Sequence, residues 1–77
     1  MDDLTTRLIA LAAKRFGIDA TTLRPEDDLF DALSIDSLQA LDLVTEVEDA
    51  FDVEVPDYEV QDVRTFAGLA AVVSRRL

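Results

Sequence analysis

The chain has 77 residues, 49% of them hydrophobic, and its 17 acidic and 7 basic residues give a formal net charge of -10. The length predicts one domain, residues 1–77, and the apolar content excludes a disordered acidic tail. The charge argues against binding to nucleic acid or to an anionic membrane surface, because both need cationic side chains. It favours partners that carry basic patches.

The chain contains neither histidine nor cysteine. This removes the commonest general base, the commonest metal ligand and the best thiol nucleophile, so we expect no catalytic residue and no metal site. The acidic start "MDDLTTRL" is unlike a signal or transit peptide, and no apolar stretch approaches membrane-spanning length. We expect a soluble, cytoplasmic monomer without membrane insertion.

The segment "DDLTTRLIALAAKRFG" predicts the first helix. Asp2 or Asp3 can begin it, and Gly17 can end it. Its apolar residues recur at helical spacing at Leu4, Leu8, Leu11 and Ala12.

A long loop follows in "IDATTLRPEDDLFDAL", where Pro25 and the clustered Asp and Thr residues disfavour a regular helix. A short helical turn near 28–33 is compatible with this pattern. Loops of this length are uncommon in compact domains and are often functional. We expect the apolar side chains of this loop to attach it to the core: Ile18, Leu23, Leu29, Phe30 and Leu33.

The second helix is predicted in "DSLQALDLVTEVEDAFDVEVP", with Asp36 as its N-cap and Gln39 completing a capping box. Pro56 ends the segment. Seven apolar residues are expected on or near its buried side: Leu38, Ala40, Leu41, Leu43, Val44, Val47 and Phe51. Three acidic residues recur at intervals of four and three and should form an outward stripe: Asp42, Glu46 and Asp49.

The segment "DYEVQDV" predicts a short third helix, and "TFAGLAAVVSRRL" predicts the last, with Thr65 as its cap. Gly68 is expected in the middle of that helix, where glycine costs about 1 kcal/mol relative to alanine. Together these elements predict an all-α four-helix bundle, with three longer helices, one short helix and a long loop between the first two.

Ser37 lies in the first turn of the predicted second helix, where free backbone N–H groups and the positive end of the helix dipole favour an anion. A phosphodiester on this serine would be stabilised there. The alternative is that Ser37 is an ordinary residue of the capping region, because short motifs often match by chance.

The chain resembles the acyl carrier protein family from end to end. The resemblance lies in "RLIALAAKRFGID", in "DDLFDALSIDSLQALDLVTEVEDAFDVEVPD" and in "TFAGLAAVV". The family's attachment motif Asp-Ser-Leu matches Asp36, Ser37 and Leu38. One departure is Ser34, which stands two residues before the motif aspartate, where the family usually has glycine; glycine permits a positive φ more cheaply than serine. The loop could therefore be set differently here.

The resemblance implies that Ser37 carries 4'-phosphopantetheine, transferred from coenzyme A by a phosphopantetheinyl transferase, the holo-ACP synthase. The arm would carry acyl groups as thioesters between enzymes of fatty acid, related lipid or polyketide biosynthesis. It also implies that Asp36, Asp42, Glu46 and Asp49 dock basic patches on synthases and acyl-transferring enzymes. Interior residues could part to admit an acyl chain: Ala40, Val44, Val47, Ala70 and Val73.

Three alternatives remain open from the residues alone. The chain could carry aminoacyl or peptidyl groups, although "SIDSL" lacks the Gly-Gly-His/Asp-Ser pattern common in peptidyl carriers. It could be a small acidic interaction module without a prosthetic group, with Ser37 as a cap. It could be an enzyme, for which no motif gives support.

Overall fold

The structure, a computed structural model, describes residues 3–77 and is all-α over that range. Three long helices and two short ones follow in chain order: α1 (Asp3–Phe16), α2 (Leu29–Leu33), α3 (Ser37–Phe51), α4 (Asp57–Val60) and α5 (Phe66–Arg76). The predicted helical bundle with three longer helices is confirmed. The helical turn in the long loop is a separate helix, α2, and a 3₁₀ turn over Ala20–Thr22 precedes it. No helix within residues 3–77 has the length and apolar character needed to cross a membrane.

α1 begins at Asp3, and Asp2, the other candidate for its start, lies outside the described residues. The helix ends as predicted at Gly17, whose φ of 67° is the left-handed conformation. The N–H of Ile18 donates to the carbonyl of Ala13 at 2.9 Å. This bond closes a Schellman-type end, which satisfies one of the last carbonyls of the helix.

α5 begins at a side-chain cap, because the Thr65 hydroxyl accepts a hydrogen bond from the N–H of Gly68 at 3.0 Å. The prediction that Gly68 lies in the middle of the helix was wrong: it is the third helical residue. A Cβ at this position would lie 3.1 Å from the Thr65 hydroxyl oxygen. Glycine therefore leaves room for the cap.

The core is built mainly where α1 meets α5. Each of these helices contributes several buried apolar side chains: Leu8, Ile9, Ala12 and Ala13 from α1, and Phe66, Leu69, Ala70, Val72 and Val73 from α5. α3 adds Leu43 and Val47. A 77-residue chain buries only a modest core, so this contact carries much of the stability.

The long loop is fixed to the start of α5 by its backbone. The N–H of Leu29 donates to the carbonyl of Arg64 at 2.7 Å, and the N–H of Ala67 donates to the carbonyl of Pro25 at 2.8 Å. The Arg64 side chain also pairs with Asp28 at 2.9 Å. The expected attachment of the loop to the core is confirmed, with three residues buried (Leu23, Leu29 and Leu33) and Ile18 and Phe30 half-buried. The loop therefore places the start of α3 at a fixed position.

Candidate functional site

Ser37 is the first residue of α3, and its side chain is exposed. The N-cap is Asp36, whose carboxylate accepts from the N–H of Gln39 at 2.9 Å. The Gln39 side chain in turn accepts from the N–H of Asp36 at 3.1 Å, which completes the predicted capping box. The carboxylate of Asp36 thus does the capping that a serine could have done. The Ser37 hydroxyl is not needed to hold the helix end.

The start of α3 also offers backbone donors. The capping box uses the N–H of Gln39, and the N–H of Ala40 donates to the carbonyl of Asp36 at 3.0 Å. The N–H groups of Ser37 and Leu38 have no acceptor among residues 3–77. Unpaired N–H groups at the positive end of a long helix stabilise an anion placed beside them. The structure therefore places an accessible hydroxyl where a phosphate is favoured.

The turn that leads into α3 is left-handed at Ser34. This residue caps the end of α2 with φ 56° and ψ 47°, and its N–H donates to the carbonyl of Asp31 at 3.3 Å. The N–H of Ile35 donates to the carbonyl of Phe30 at 3.0 Å. Ser34 therefore keeps the left-handed backbone conformation, which glycine adopts at a lower conformational cost.

An apolar cavity of about 490 Å³ opens beside Ser37, between α3, α4 and the long loop. Buried side chains form its floor: Leu29, Leu43 and Leu69. Half-buried apolar side chains form its walls: Phe30, Ala40, Val44, Val60 and Val63. Exposed residues form its rim: Ser37, Leu41, Asp57, Tyr58 and Gln61. The candidate attachment serine and an apolar cavity therefore share one opening.

Two of the five interior residues expected to admit an acyl chain, Ala40 and Val44, line this cavity. The other three do not line it and are buried in the core: Val47, Ala70 and Val73. They lie on the side of α3 and α5 that packs toward α1. The space for a ligand is on the α4 side.

The prediction that Leu38 and Leu41 belong to the buried side of α3 was wrong. Leu38 is 73% exposed and Leu41 is 44% exposed. Tyr58 on α4 is 72% exposed as well, and no pattern in the sequence had singled it out. We call these three residues the apolar rim: Leu41 and Tyr58 line the cavity opening, and Leu38 follows Ser37 in the first turn of α3. Exposed apolar side chains beside an opening are typical of an interaction surface.

The acidic residues of α3 divide into two groups. Asp36, Asp42 and Asp49 are exposed, as the predicted stripe requires. Glu46 differs, because it is half-buried and pairs with Arg15 of α1 at 3.3 Å. Its charge is partly neutralised within the fold. Asp57 on α4, which the sequence had not suggested, adds an exposed carboxylate at the cavity opening.

Comparisons with known proteins find similarity over most of the chain. A family model described as "phosphopantetheine attachment site" matches residues 6–73. A curated acyl carrier protein of Syntrophobacter fumaroxidans is 36% identical over 62 residues, which cover 80% of this chain and 76% of that protein. Acyl carrier proteins of Rubrobacter xylanophilus and Helicobacter hepaticus are 31% and 30% identical over 64 residues. Each match covers 83% of this chain, and 79% and 84% of the two relatives respectively.

Proposed function

The chain belongs to the acyl carrier protein family, whose prosthetic group is 4'-phosphopantetheine, and we propose that Ser37 is the residue that carries this group. The observation that supports this choice is the placement of an exposed hydroxyl, not used as a cap, at the first residue of α3. The matching motif residues Asp36 and Leu38 flank it. Asp36 would hold the helix end, and exposed Leu38 would contact the modifying enzyme.

The residues at this position suit a phosphodiester. The Ser37 oxygen would attack the phosphorus of coenzyme A that bears the pantetheine arm. A P–O bond to serine would form as the bond to the adenosine bisphosphate leaving group breaks, with the serine proton passing to the transferase. The N–H groups of Ser37 and Leu38 would then stabilise the negative charge of the phosphodiester. The attached arm supplies a thiol that holds acyl groups as thioesters, which this cysteine-free chain cannot supply itself.

We propose that the acyl chain enters the cavity beside Ser37. The floor and walls of the cavity are aliphatic and aromatic, and each methylene removed from water there contributes about 0.8 kcal/mol. Polar and exposed residues at the opening suit the passage of a polar arm. The walls from α4 and the loop would cover the chain and shield its thioester from water.

We propose that the exposed carboxylates of Asp36, Asp42 and Asp49 steer the protein to basic patches on the transferase and on acyl-transferring enzymes. Charge complementarity of this kind raises association rates more than affinity, which suits a carrier that must leave each partner. Glu46 would contribute less, because its carboxylate already pairs with Arg15. The apolar rim would supply contacts at the point where the acyl group is handed over.

We propose that the protein is a carrier rather than a catalyst. The chain lacks histidine and cysteine, and its one lysine, Lys14, lies in the last turn of α1, outside the residues that line the cavity. No general base is therefore supplied to Ser37 by the motif. The chemistry at the thioester would come from the partner enzymes.

Incubation with coenzyme A, Mg²⁺ and a promiscuous phosphopantetheinyl transferase, followed by intact mass measurement, tests the assignment. We expect the chain to gain the mass of one phosphopantetheine. Ser37→Ala should gain none, and Ser34→Ala, which removes a hydroxyl three positions away, should be loaded like the unaltered chain. Loading of Ser37→Ala, or no loading of the unaltered chain, would overturn the assignment.

A further inference from the structure

α4 is the least anchored wall of the cavity. Residues Asp57–Val60 include no buried side chain, and the N-cap of this helix, Pro56, makes no side-chain capping hydrogen bond. The opposite walls differ, because α3 and α5 contribute buried residues such as Leu43 and Leu69 to the core. Segments with few buried apolar contacts open at the lowest free energy. If the cavity must enlarge, α4 is the wall that moves.

One ion pair ties α4 to the end of α5. The Glu59 oxygen Oε2 accepts from Arg76 Nε at 2.8 Å and lies 2.6 Å from Arg76 Nη2. The two side chains are 34% and 19% exposed, which makes this pair the shortest and the most shielded of the three ion pairs found within residues 3–77. Hydrogen bonding to Glu59, and then to Tyr58, raises the pKa of Arg76 above its ordinary value. The pair is therefore well placed to resist movement of α4.

We propose that Arg76 and Glu59 form a latch that sets the longest acyl chain the cavity encloses, an inference that rests on the proposed function. A short chain fits the existing space and leaves the latch closed. A longer chain gains burial for each further carbon only by displacing α4, which separates the two charges. The latch stays closed, and the further carbons stay outside, at chain lengths where that gain is smaller than the cost of separating the two charges. Arg76 and Glu59 act here as positioning residues and need not touch the acyl group.

The first test uses protein loaded on Ser37 with a series of acyl chains, from butanoyl through hexanoyl, octanoyl and decanoyl to dodecanoyl and longer. The melting temperature should rise with chain length and reach a plateau when further carbons stay outside. In Arg76→Gln and Glu59→Gln the plateau should move to a longer chain. Arg75→Gln is the matched control, because it removes the same charge from the neighbouring exposed residue, which forms no ion pair within the described chain.

The double variant separates the latch from a general loss of charge. If the two residues act only through each other, Arg76→Gln combined with Glu59→Gln should move the plateau no further than either single change, because the second change has no partner left to remove. High salt screens the ion pair, so in the unaltered protein the plateau should move to a longer acyl chain. In Arg76→Gln, where the pair is absent, salt should leave the plateau at the same acyl chain length.

A second measurement needs no acyl group. Amide hydrogen exchange over residues 57–63 of the unmodified protein should be faster in Arg76→Gln than in the unaltered chain, and Arg75→Gln should leave it unchanged. Two results would overturn the latch and leave the proposed function standing. One is amide exchange in Arg76→Gln at the same rate as in the unaltered protein, and the other is a melting-temperature plateau at the same acyl chain length in fully loaded variants. An unaltered chain whose mass shows no phosphopantetheine would instead overturn the proposed function, and the acyl role of the latch with it.

Discussion

The two sides of this small bundle are built differently. On one side α1 and α5 bury leucine, valine and phenylalanine side chains against each other, with Leu8, Phe66 and Val73 fully inaccessible. On the other side α3 and α4 enclose a cavity of about 490 Å³ and leave Leu38 and Tyr58 exposed. The difference indicates that the two faces have different roles. One face holds the fold together, and the other keeps apolar surface free for a ligand and for partners.

The sharpest test of this comparison makes the same substitution on both sides. Leu8→Ala should lower the free energy of unfolding by about 2–5 kcal/mol, because it removes a buried side chain and leaves a cavity. Leu38→Ala should change it by no more than about 0.5 kcal/mol. Urea denaturation followed by circular dichroism measures both. Equal losses would show that the two sides do not differ in the way described.

The cap at Asp36 links stability to the site. Asp36→Ala should cost about 1 kcal/mol, since it removes the acceptor for the N–H of Gln39. Asp36→Asn should retain most of that stability, because asparagine caps nearly as well, while it removes the charge. If the carboxylate also steers partners, Asp36→Asn should slow association with the transferase at low salt. Association that is unchanged at every salt concentration would restrict Asp36 to its capping role.

Two left-handed helix ends provide a reciprocal test. Gly17 ends α1 with φ 67° on the stable side, and Ser34 ends α2 with φ 56° beside the site. A residue other than glycine in this conformation costs of order 1 kcal/mol. Ser34→Gly should therefore raise the free energy of unfolding by about 1 kcal/mol, and Gly17→Ser should lower it by a similar amount. Nothing lies within 4 Å of a Cβ at Gly17, so the loss there is conformational.

The smallest expected effect is the pH dependence of stability that comes from Asp28. Burial raises the pKa of this carboxyl, but hydrogen bonds from the backbone of Asp31 and from Arg64 outweigh it and hold the pKa below its ordinary value. Asp28 therefore stabilises the fold fully above its unfolded pKa of about 3.9, and this contribution is lost as the pH falls through the lower folded pKa. Asp28→Asn, which keeps a capping residue, should be less stable than the unaltered chain near neutral pH.

The difference between Asp28→Asn and the unaltered chain should shrink as the solution is made more acid than about pH 4. Melting temperatures of the two proteins across that range provide the measurement. A constant difference at all pH values would mean that the Asp28 charge is not involved. Asp31→Asn is a suitable control, because Asp31 is exposed in the same short helix.

Local chemistry predicted where α3 and α5 begin and where α1 ends. The prediction that Pro56 ends α3 was wrong, because the helix ends at Phe51 with Asp52 as a left-handed cap. Asp36 with Gln39, Thr65 and Gly17 act within one or two turns of their own position, so each cap could be read from neighbouring residues. The family motif and its candidate site residue, Ser37, were predictable for the same reason. The long loop was also anticipated, because Pro25 and its polar neighbours disfavour a regular helix.

The rotation of α3 was harder to predict, because several of its faces carry apolar residues. At 100° per residue, the direction shared by Ala40, Leu43 and Val47 leaves Leu41 about 130° away from the centre of the buried face. Apolarity alone could not decide which of these leucines meets the core. The packing of α1 and α5 decided it, and the same rotation turned Glu46 toward Arg15.

The sequence by itself determined the three long helices, the caps at Asp36, Thr65 and Gly17, and the serine at the start of α3, because those depend on spacing and hydrogen bonds within a few residues. Only the tertiary structure decided the cavity, the apolar rim and the pair between Glu59 and Arg76. Each of these joins positions far apart in the chain or arises from space that packing leaves unfilled. No local pattern of residues specifies such space in advance.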